Sequence, residues 1–137
     1  MKMDTLYRKT DRRRKINARL VIIQYYRAGR DEKGYPTAIA RTHSPLEYTV
    51  HRKVIPALDR KARYVTSIKF KDKQMNVHVS CSCQDYMYRT EFLNAQAGAG
   101  EIIYGNGEPP TKVDNPGVRM CKHLIALRDL VKKKHGI

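Results

Sequence analysis

Val79-Ser80-Cys81-Ser82-Cys83-Gln84-Asp85-Tyr86 and Met120-Cys121-Lys122-His123-Leu124 are the two stretches on which the reading of this chain turns. They hold all three cysteines of a 137-residue sequence. Read together they give C-x-C, a long gap, then C-x-H. Three thiolates and one imidazole are the usual donors of a closed, tetrahedral structural zinc site. The pattern therefore predicts Zn2+ held by Cys81, Cys83, Cys121 and His123. The alternative is three buried thiols and a surface histidine. Two facts tell against it: no cysteine lies outside the motifs, and Cys81 and Cys83 share a strand face.

Outward from Cys81, the clearest local signal is a hairpin. Tyr64 to Phe70 alternates, Lys71 to Lys73 turns, and Gln74 to Cys81 alternates again, with Met75, Val77, Val79, Cys81 and Cys83 on one face. Past Cys83, Asp85 is placed to N-cap a helix running to about Gln96, with Tyr86, Phe92 and Leu93 on its buried side and Ala97–Gly100 ending it. Glu101–Tyr104 is a candidate short strand. Residues 105–117, rich in Gly, Pro and Asn, form a long loop that is either a binding loop or an insertion. Cys121 to Lys134 reads as a helix with Met120, Leu124, Leu127 and Val131 in one apolar stripe and Lys132–Lys134 suiting its C-terminal end. Cys121 and His123 then sit in its first turn, where the partial positive charge of the helix start stabilises a thiolate. One ion would staple the hairpin to this helix and contribute folding free energy directly.

Toward the N-terminus, Ala18 to Tyr26 fits a buried strand better than a helix, with Arg27–Gly34 as a turn. Tyr35–Arg41 and Tyr48–Ile55 are further strands, and residues 57–63 a single helical turn. Residues 1–15 read as a basic arm, disordered when taken alone, and residues 16–137 as one domain. The expected fold class is α+β: short antiparallel strands and a C-terminal helix joined by the metal.

The quoted motifs, with the flanks Met120 to Leu127, resemble the SWIM zinc finger family over roughly residues 64–131, with residues 84–120 as a long insertion between the half-motifs. The resemblance implies a ββα-type module with zinc on Cys81, Cys83, Cys121 and His123. It also implies a non-enzymatic role in binding DNA or proteins. The chain is similar, too, to small stand-alone SWIM proteins of tailed phages.

The formal net charge is +15. It divides as +8 over residues 1–30, +5 over 31–83, −3 over 84–117 and +5 over 118–137. Such a balance points to a polyanionic partner whose contact avoids the acidic segment. The candidate phosphate contacts are Arg8, Arg12, Arg13, Arg14, Lys15, Arg19, Lys132, Lys133 and Lys134. Tyr25, Tyr26, Tyr86 and Tyr88 are candidates for stacking on bases or for the core.

The sequence offers no catalytic constellation. His43, His51, His78 and His135 are scattered, and His78 lies opposite the cysteines on its strand. The glycine pairs near residues 98–107 lack the strand, lysine and helix of a phosphate loop. No run is apolar enough to span a membrane. Three cysteines with no secretory signal fit an intracellular reducing compartment such as the cytoplasm, or a virion. Two functions from different classes follow: a zinc-stabilised nucleic-acid binder, or a structural or adaptor subunit of a larger assembly such as a phage particle.

Overall fold

The structure, a computed structural model, describes residues 1–105 and 118–136. Its centre is a four-stranded antiparallel sheet in the order β1-β2-β5-β6, formed by Ile22–Arg30, Pro36–His43, Tyr64–Phe70 and Val77–Cys81. One face is covered by the C-terminal helix α5, Lys122–His135, and by the N-terminal helix α1, Met3–Lys9, while α2, Arg12–Asn17, packs against α5 and the chain around Leu46–Tyr48. The expected α+β class and the hairpin-plus-helix arrangement hold.

Alternation decides which side of each strand is buried. Ala38, Ala40 and Thr42 of β2, Thr66, Ile68 and Phe70 of β5, and Val77, Val79 and Cys81 of β6 point inward. They meet the stripe Leu124, Leu127 and Val131 of α5, with Met120 just ahead of it. Strand β1 reaches the same core through Ile23 and Tyr26, three residues apart, which strict alternation does not allow. A bulge between Ile23 and Tyr25 absorbs the extra residue: Ile23 pairs with Thr42 and Tyr25 with Arg41. Gln24 and Tyr25 both point outward as a result. The strand starts at Ile22, after a 3-10 turn over Ala18–Leu20 where strand was expected, and continues to Arg30, further than expected. The turn shrinks to Asp31–Gly34, where the Asp31 carboxylate accepts from the N–H groups of Lys33 and Tyr35.

The free edge of β6 is covered twice. Lys2 bridges Asn76 with Val77 N–H donating to Met1 C=O, and Gly100 bridges Val79 with Val79 N–H donating to Ala99 C=O. Covering an edge in this way blocks pairing with other chains.

Several expectations are corrected. Residues 1–15 form two helices rather than an arm, because Met3 and Leu6 insert into the core, Leu6 completely. Thr10 clamps them: its hydroxyl donates to Leu6 C=O at 2.8 Å and accepts from Met120 N–H at 2.9 Å. Tyr48–Ile55 is not one strand but a small hairpin, β3 Leu46–Tyr48 with β4 Val54–Pro56, turning through Arg52 at a left-handed φ of 62°. Met75 lies in the β5–β6 turn at φ 65°, and β6 begins at Val77. The helix after Cys83 is two, α3 Gln84–Arg89 and α4 Glu91–Gln96, broken at Thr90. Its N-cap is Cys83 instead of Asp85. Phe92 and Leu93 are only half-buried, while Glu91 and Asn94 take the interior. No strand forms over Glu101–Tyr104, because Glu91 holds that backbone instead, accepting from Tyr104 N–H and Gly105 N–H. The Gly/Pro/Asn loop lies almost wholly outside the described residues.

Candidate metal centre

Three chain segments converge at one end of the sheet. Cys81 is the last residue of β6, Cys83 caps α3, Cys121 caps α5, and His123 stands in the first turn of α5. Their ligand atoms all lie within 4.8 Å of one another. A zinc tetrahedron with Zn–S bonds of about 2.3 Å has edges of about 3.8 Å. With a Zn–N bond of about 2.0–2.1 Å the sulfur-to-nitrogen edge is about 3.6 Å, and the Cys121 Sγ to His123 Nδ1 separation of 3.9 Å is a few tenths longer. All four residues are at most 2% exposed.

Neighbours aim each donor. Ser44, fully buried, sits 2.7 Å from His123 Nε2. With Nε2–H donating to Ser44 Oγ, the lone pair on Nδ1 faces the three sulfurs, which sets the tautomer a metal needs. The Tyr64 ring packs on the imidazole at 4.9 Å between centroids and fixes its plane. Thr66 Oγ1 lies 3.4 Å from Cys81 Sγ and 3.1 Å from Thr42 Oγ1, a hydroxyl chain running back into the sheet. Cys83 Sγ accepts from Tyr86 N–H at 3.4 Å, so this sulfur takes the place of an ordinary N-cap oxygen. None of these partners lies close to the motifs in sequence except Tyr86. Ser44 is 79 positions from His123, and no local pattern announces it.

The electrostatics fit a cation. Burial, together with the neighbouring Cys121, pushes the Cys81 thiol well up. Hydrogen bonding to Cys121 and Cys81, reinforced by burial, does the same to Cys83. Burial also opposes ionisation of Cys121, but the hydrogen bonds of Cys81, Cys83 and His123 outweigh it and hold Cys121 well below the usual thiol range. Burial and mutual repulsion thus oppose full ionisation of Cys81 and Cys83, while Cys121 is the thiol most readily ionised. Three thiolates in one buried spot require a divalent ion to balance them. The donor set and its burial fit a closed site held by Cys81, Cys83, Cys121 and His123, positioned for a metal ion and consistent with zinc. Four protein donors occupy every position of a tetrahedron, the arrangement of a structural centre.

The surroundings tie this centre to the N-terminal helices. Arg14 makes a bidentate pair with Asp85, Nη2 to Oδ1 at 2.6 Å and Nε to Oδ2 at 2.8 Å, two residues beyond Cys83. A third bond, Nη1 to Asp11 at 2.7 Å, fixes the same guanidinium. Arg119 Nη2 is 3.8 Å from Asp85 on the other side. A cleft of about 420 Å³ borders the cluster, with Arg13, Asp59, Arg89 and Lys122 among its walls.

The remaining basic candidates separate into two groups. Arg8, Arg12, Arg13, Arg19, Lys133 and Lys134 are exposed. Arg14 is engaged by carboxylates, Lys132 pairs with Asp4 at 3.1 Å, and Lys15 lies 4.4 Å over the Tyr7 ring. Of the tyrosines, Tyr86 is wholly buried and donates to Val79 C=O. Tyr26 lies 2.7 Å, hydroxyl to Nε2, from His135, while Tyr25 and Tyr88 remain more than half exposed. His78 is no part of the centre: it faces Glu101 at 3.4 Å.

No family model, curated protein or solved structure matches the chain. Among the described residues, no helix is long and apolar enough to cross a membrane.

Proposed function

We propose that this is a non-enzymatic protein of the SWIM zinc-finger type, folded around one structural zinc ion, that binds nucleic acid. The observation that carries the reading is the buried Cys81–Cys83–Cys121–His123 cluster, whose four donor atoms all lie within 4.8 Å of one another. Spacing supports the family: C-x-C ends a hairpin strand and C-x-H opens the following long helix. The case for nucleic acid is the +15 charge, with Arg8, Arg12, Arg13 and Arg19 exposed near the N-terminus and Lys133 and Lys134 exposed at the end of α5. The ion's role is to join segments that the chain separates by 37 residues between Cys83 and Cys121. It acts on folding and stability, and the bound phosphates would meet side chains elsewhere.

Metal content and a salt series test the two halves separately. The purified protein should carry one zinc per chain, and Cys121→Ser should lose it together with helical signal. One zinc per chain in Cys121→Ser would sink the ligand assignment. Duplex and single-stranded DNA binding should persist at about 150 mM salt and weaken when Arg12 and Arg13 are both changed to Ala. Binding confined to low salt would leave only generic attraction.

A second reading has its own observation. Val50, in the β3–β4 turn, and Leu58, two residues past β4, are 75% and 95% exposed, and Leu46 and Val54 of the hairpin are also exposed. Such a patch suits a protein partner, as in an adaptor or structural subunit of a large assembly such as a virion. A stable complex lost on changing Val50 and Leu58 to Ser, in a chain that binds no nucleic acid at physiological salt, would favour it.

A further inference from the structure

Among the described residues, no helix or strand packs on the face of the sheet turned away from α5, and no motif marks it. Its side chains follow from the register. Tyr25, Arg41 and Val65 stand in one row across β1, β2 and β5, and Arg27, Ile39 and Ser67 in the next. Lys69 stands one row further, opposite Thr37. The row spacing is set by the strand repeat and the column spacing by strands about 4.8 Å apart. The result is a checkerboard of cations and flat or apolar groups. Tyr25, Ile39 and Val65 are 58%, 42% and 50% exposed, and Arg27, Arg41 and Lys69 are exposed as well.

The charge on this face is one-sided. The four strands contain no Asp or Glu. Among the described residues, Arg27, Arg41 and Lys69 pair with no carboxylate. This sets them apart from Arg14, Lys122, Arg128 and Lys132, which do. Among the described residues, carboxylates stand at the margins: Glu101 beside His78 at one edge, and Asp31 with Glu32 in the β1–β2 turn. The bulge in β1 contributes too, since it turns Tyr25 outward where strict alternation would bury it.

We propose that this open sheet face binds single-stranded nucleic acid, with Tyr25 stacking on a base and Arg27, Arg41 and Lys69 meeting phosphates. The proposal rests on the nucleic-acid reading above and gives it a location. The choice of occupant follows from the chemistry of the face. A polyanion complements three unpaired cations, whereas a second copy would set the same three cations against themselves. Exposed aromatic and aliphatic surface interleaved with that charge is of use only to a ligand whose bases are unstacked, so a single strand fits and a duplex does not.

The test uses the full-length, zinc-loaded protein and fluorescence anisotropy with a labelled oligothymidylate of about 12 nucleotides, within the range one binding module covers. A duplex of the same length is the comparison. Tyr25→Ala should weaken binding roughly five-fold or more, the minimum effect of a lost base stack. Arg41→Ala with Lys69→Ala should reduce the slope of log K against log salt by about 1.4, two phosphates at about 0.7 each. Lys9→Ala with Lys53→Ala removes the same charge from exposed positions off the face and should change the slope by much less. All variants should keep one metal per chain and the parent's circular dichroism.

Undiminished binding in Tyr25→Ala, together with no greater loss in the face pair than in the control pair, would overturn the proposal while leaving the nucleic-acid reading in place. Equal or tighter binding of the duplex would overturn it in the same way. Dimers dispersed by the face substitutions would assign the surface to self-association instead. Absence of wild-type binding to either form at about 150 mM salt would remove the parent reading and this one with it.

Discussion

Leu6→Ala tests whether the first twenty residues belong to the fold. Leu6 has no exposed surface and sits in the main core with Met3, Phe70 and Val77. Removing three methyl-sized groups from such a site costs the lost transfer energy plus a cavity, about 2–5 kcal/mol for Leu→Ala. Relaxation at this site is restricted, because Leu6 C=O accepts from Thr10, and Thr10 is tied in turn to Met120 N–H. The value should therefore fall in the middle of that range, about 3 kcal/mol. Single domains are stable by about 5–15 kcal/mol, so this is a large fraction of the whole. With a urea m-value of about 2 kcal/mol/M, the unfolding midpoint of the metal-loaded protein should fall by about 1.5 M. Arg12→Ala, at the start of the next helix and exposed, should move it hardly at all. Circular dichroism across a urea series, with metal content measured in parallel, gives both numbers. A Leu6→Ala midpoint equal to that of Arg12→Ala would refute the packing argument and restore a free basic arm.

Three further outcomes follow from specific contacts. Ser44→Ala should lower metal affinity about 10- to 100-fold, because His123 loses the partner that fixes its tautomer; competition with a chromophoric chelator reads this directly, and unchanged affinity would mean that Ser44 does not orient the ring. Gly100→Ala should destabilise by about 1–3 kcal/mol, since a Cβ there would stand 3.0 Å from the Tyr86 hydroxyl and 3.1 Å from Val79 C=O; a thermal midpoint matching the parent would show that the β6 edge is less tightly covered than described. Burial pushes the Asp4 carboxyl up, but the hydrogen bonds and charges of Lys132 and Arg128 prevail and hold it below its ordinary value. Its contribution is therefore complete above about pH 4 and disappears as the pH falls through the lowered folded-state value. Asp4→Asn should cost under about 1 kcal/mol near neutrality, less in high salt, and nothing once the pH is below the lowered folded-state value; a cost that persists when Asp4 is fully protonated would point to packing in place of charge.

What could be read from the sequence was whatever depends on near neighbours. The C-x-C and C-x-H pairs each place two donors by local geometry, and Val77, Val79 and Cys81 share a face by alternation alone. The α5 stripe was equally open to reading, because Leu124, Leu127 and Val131 repeat at helical spacing. The misreadings come from partners far along the chain. Helix α1 buries only Met3 and Leu6, too few apolar positions to stand out among lysines and arginines, and its importance lies in a contact with Met120 110 residues away. Glu91 was unreadable as an interior residue: a carboxylate is buried there because the backbone N–H groups of Tyr104 and Gly105 supply its hydrogen bonds. The β3–β4 turn carries no glycine at its left-handed position, where Arg52 stands, so the usual signal of a hairpin was missing. Likewise, nothing local to Gln24 reveals the bulge that turns Tyr25 outward; it is required by the simultaneous burial of Ile23 and Tyr26 against β2 and α5.

The net charge is a poor guide to which cations are available to a partner. Arg14 holds α2 to the start of α3 through Asp85, Arg128 and Lys132 hold α5 to α1 through Asp4, and Lys122 reaches Asp59. Every one of these bonds joins segments far apart in sequence, so these residues act as part of the scaffold. Arg128 also lies 3.7 Å over the Tyr7 ring, opposite in role to a solvated charge. Counting basic residues along the chain draws attention to residues 8–19, where charge is densest, yet that is where some of it is already neutralised. The strands carry fewer cations, but alternation sends Arg27, Arg41 and Lys69 to one side of a sheet whose strands contain no acid. A polyanion responds to the charge left unpaired on a continuous surface, and on that criterion the sheet face competes with the helical segments despite contributing less to the total.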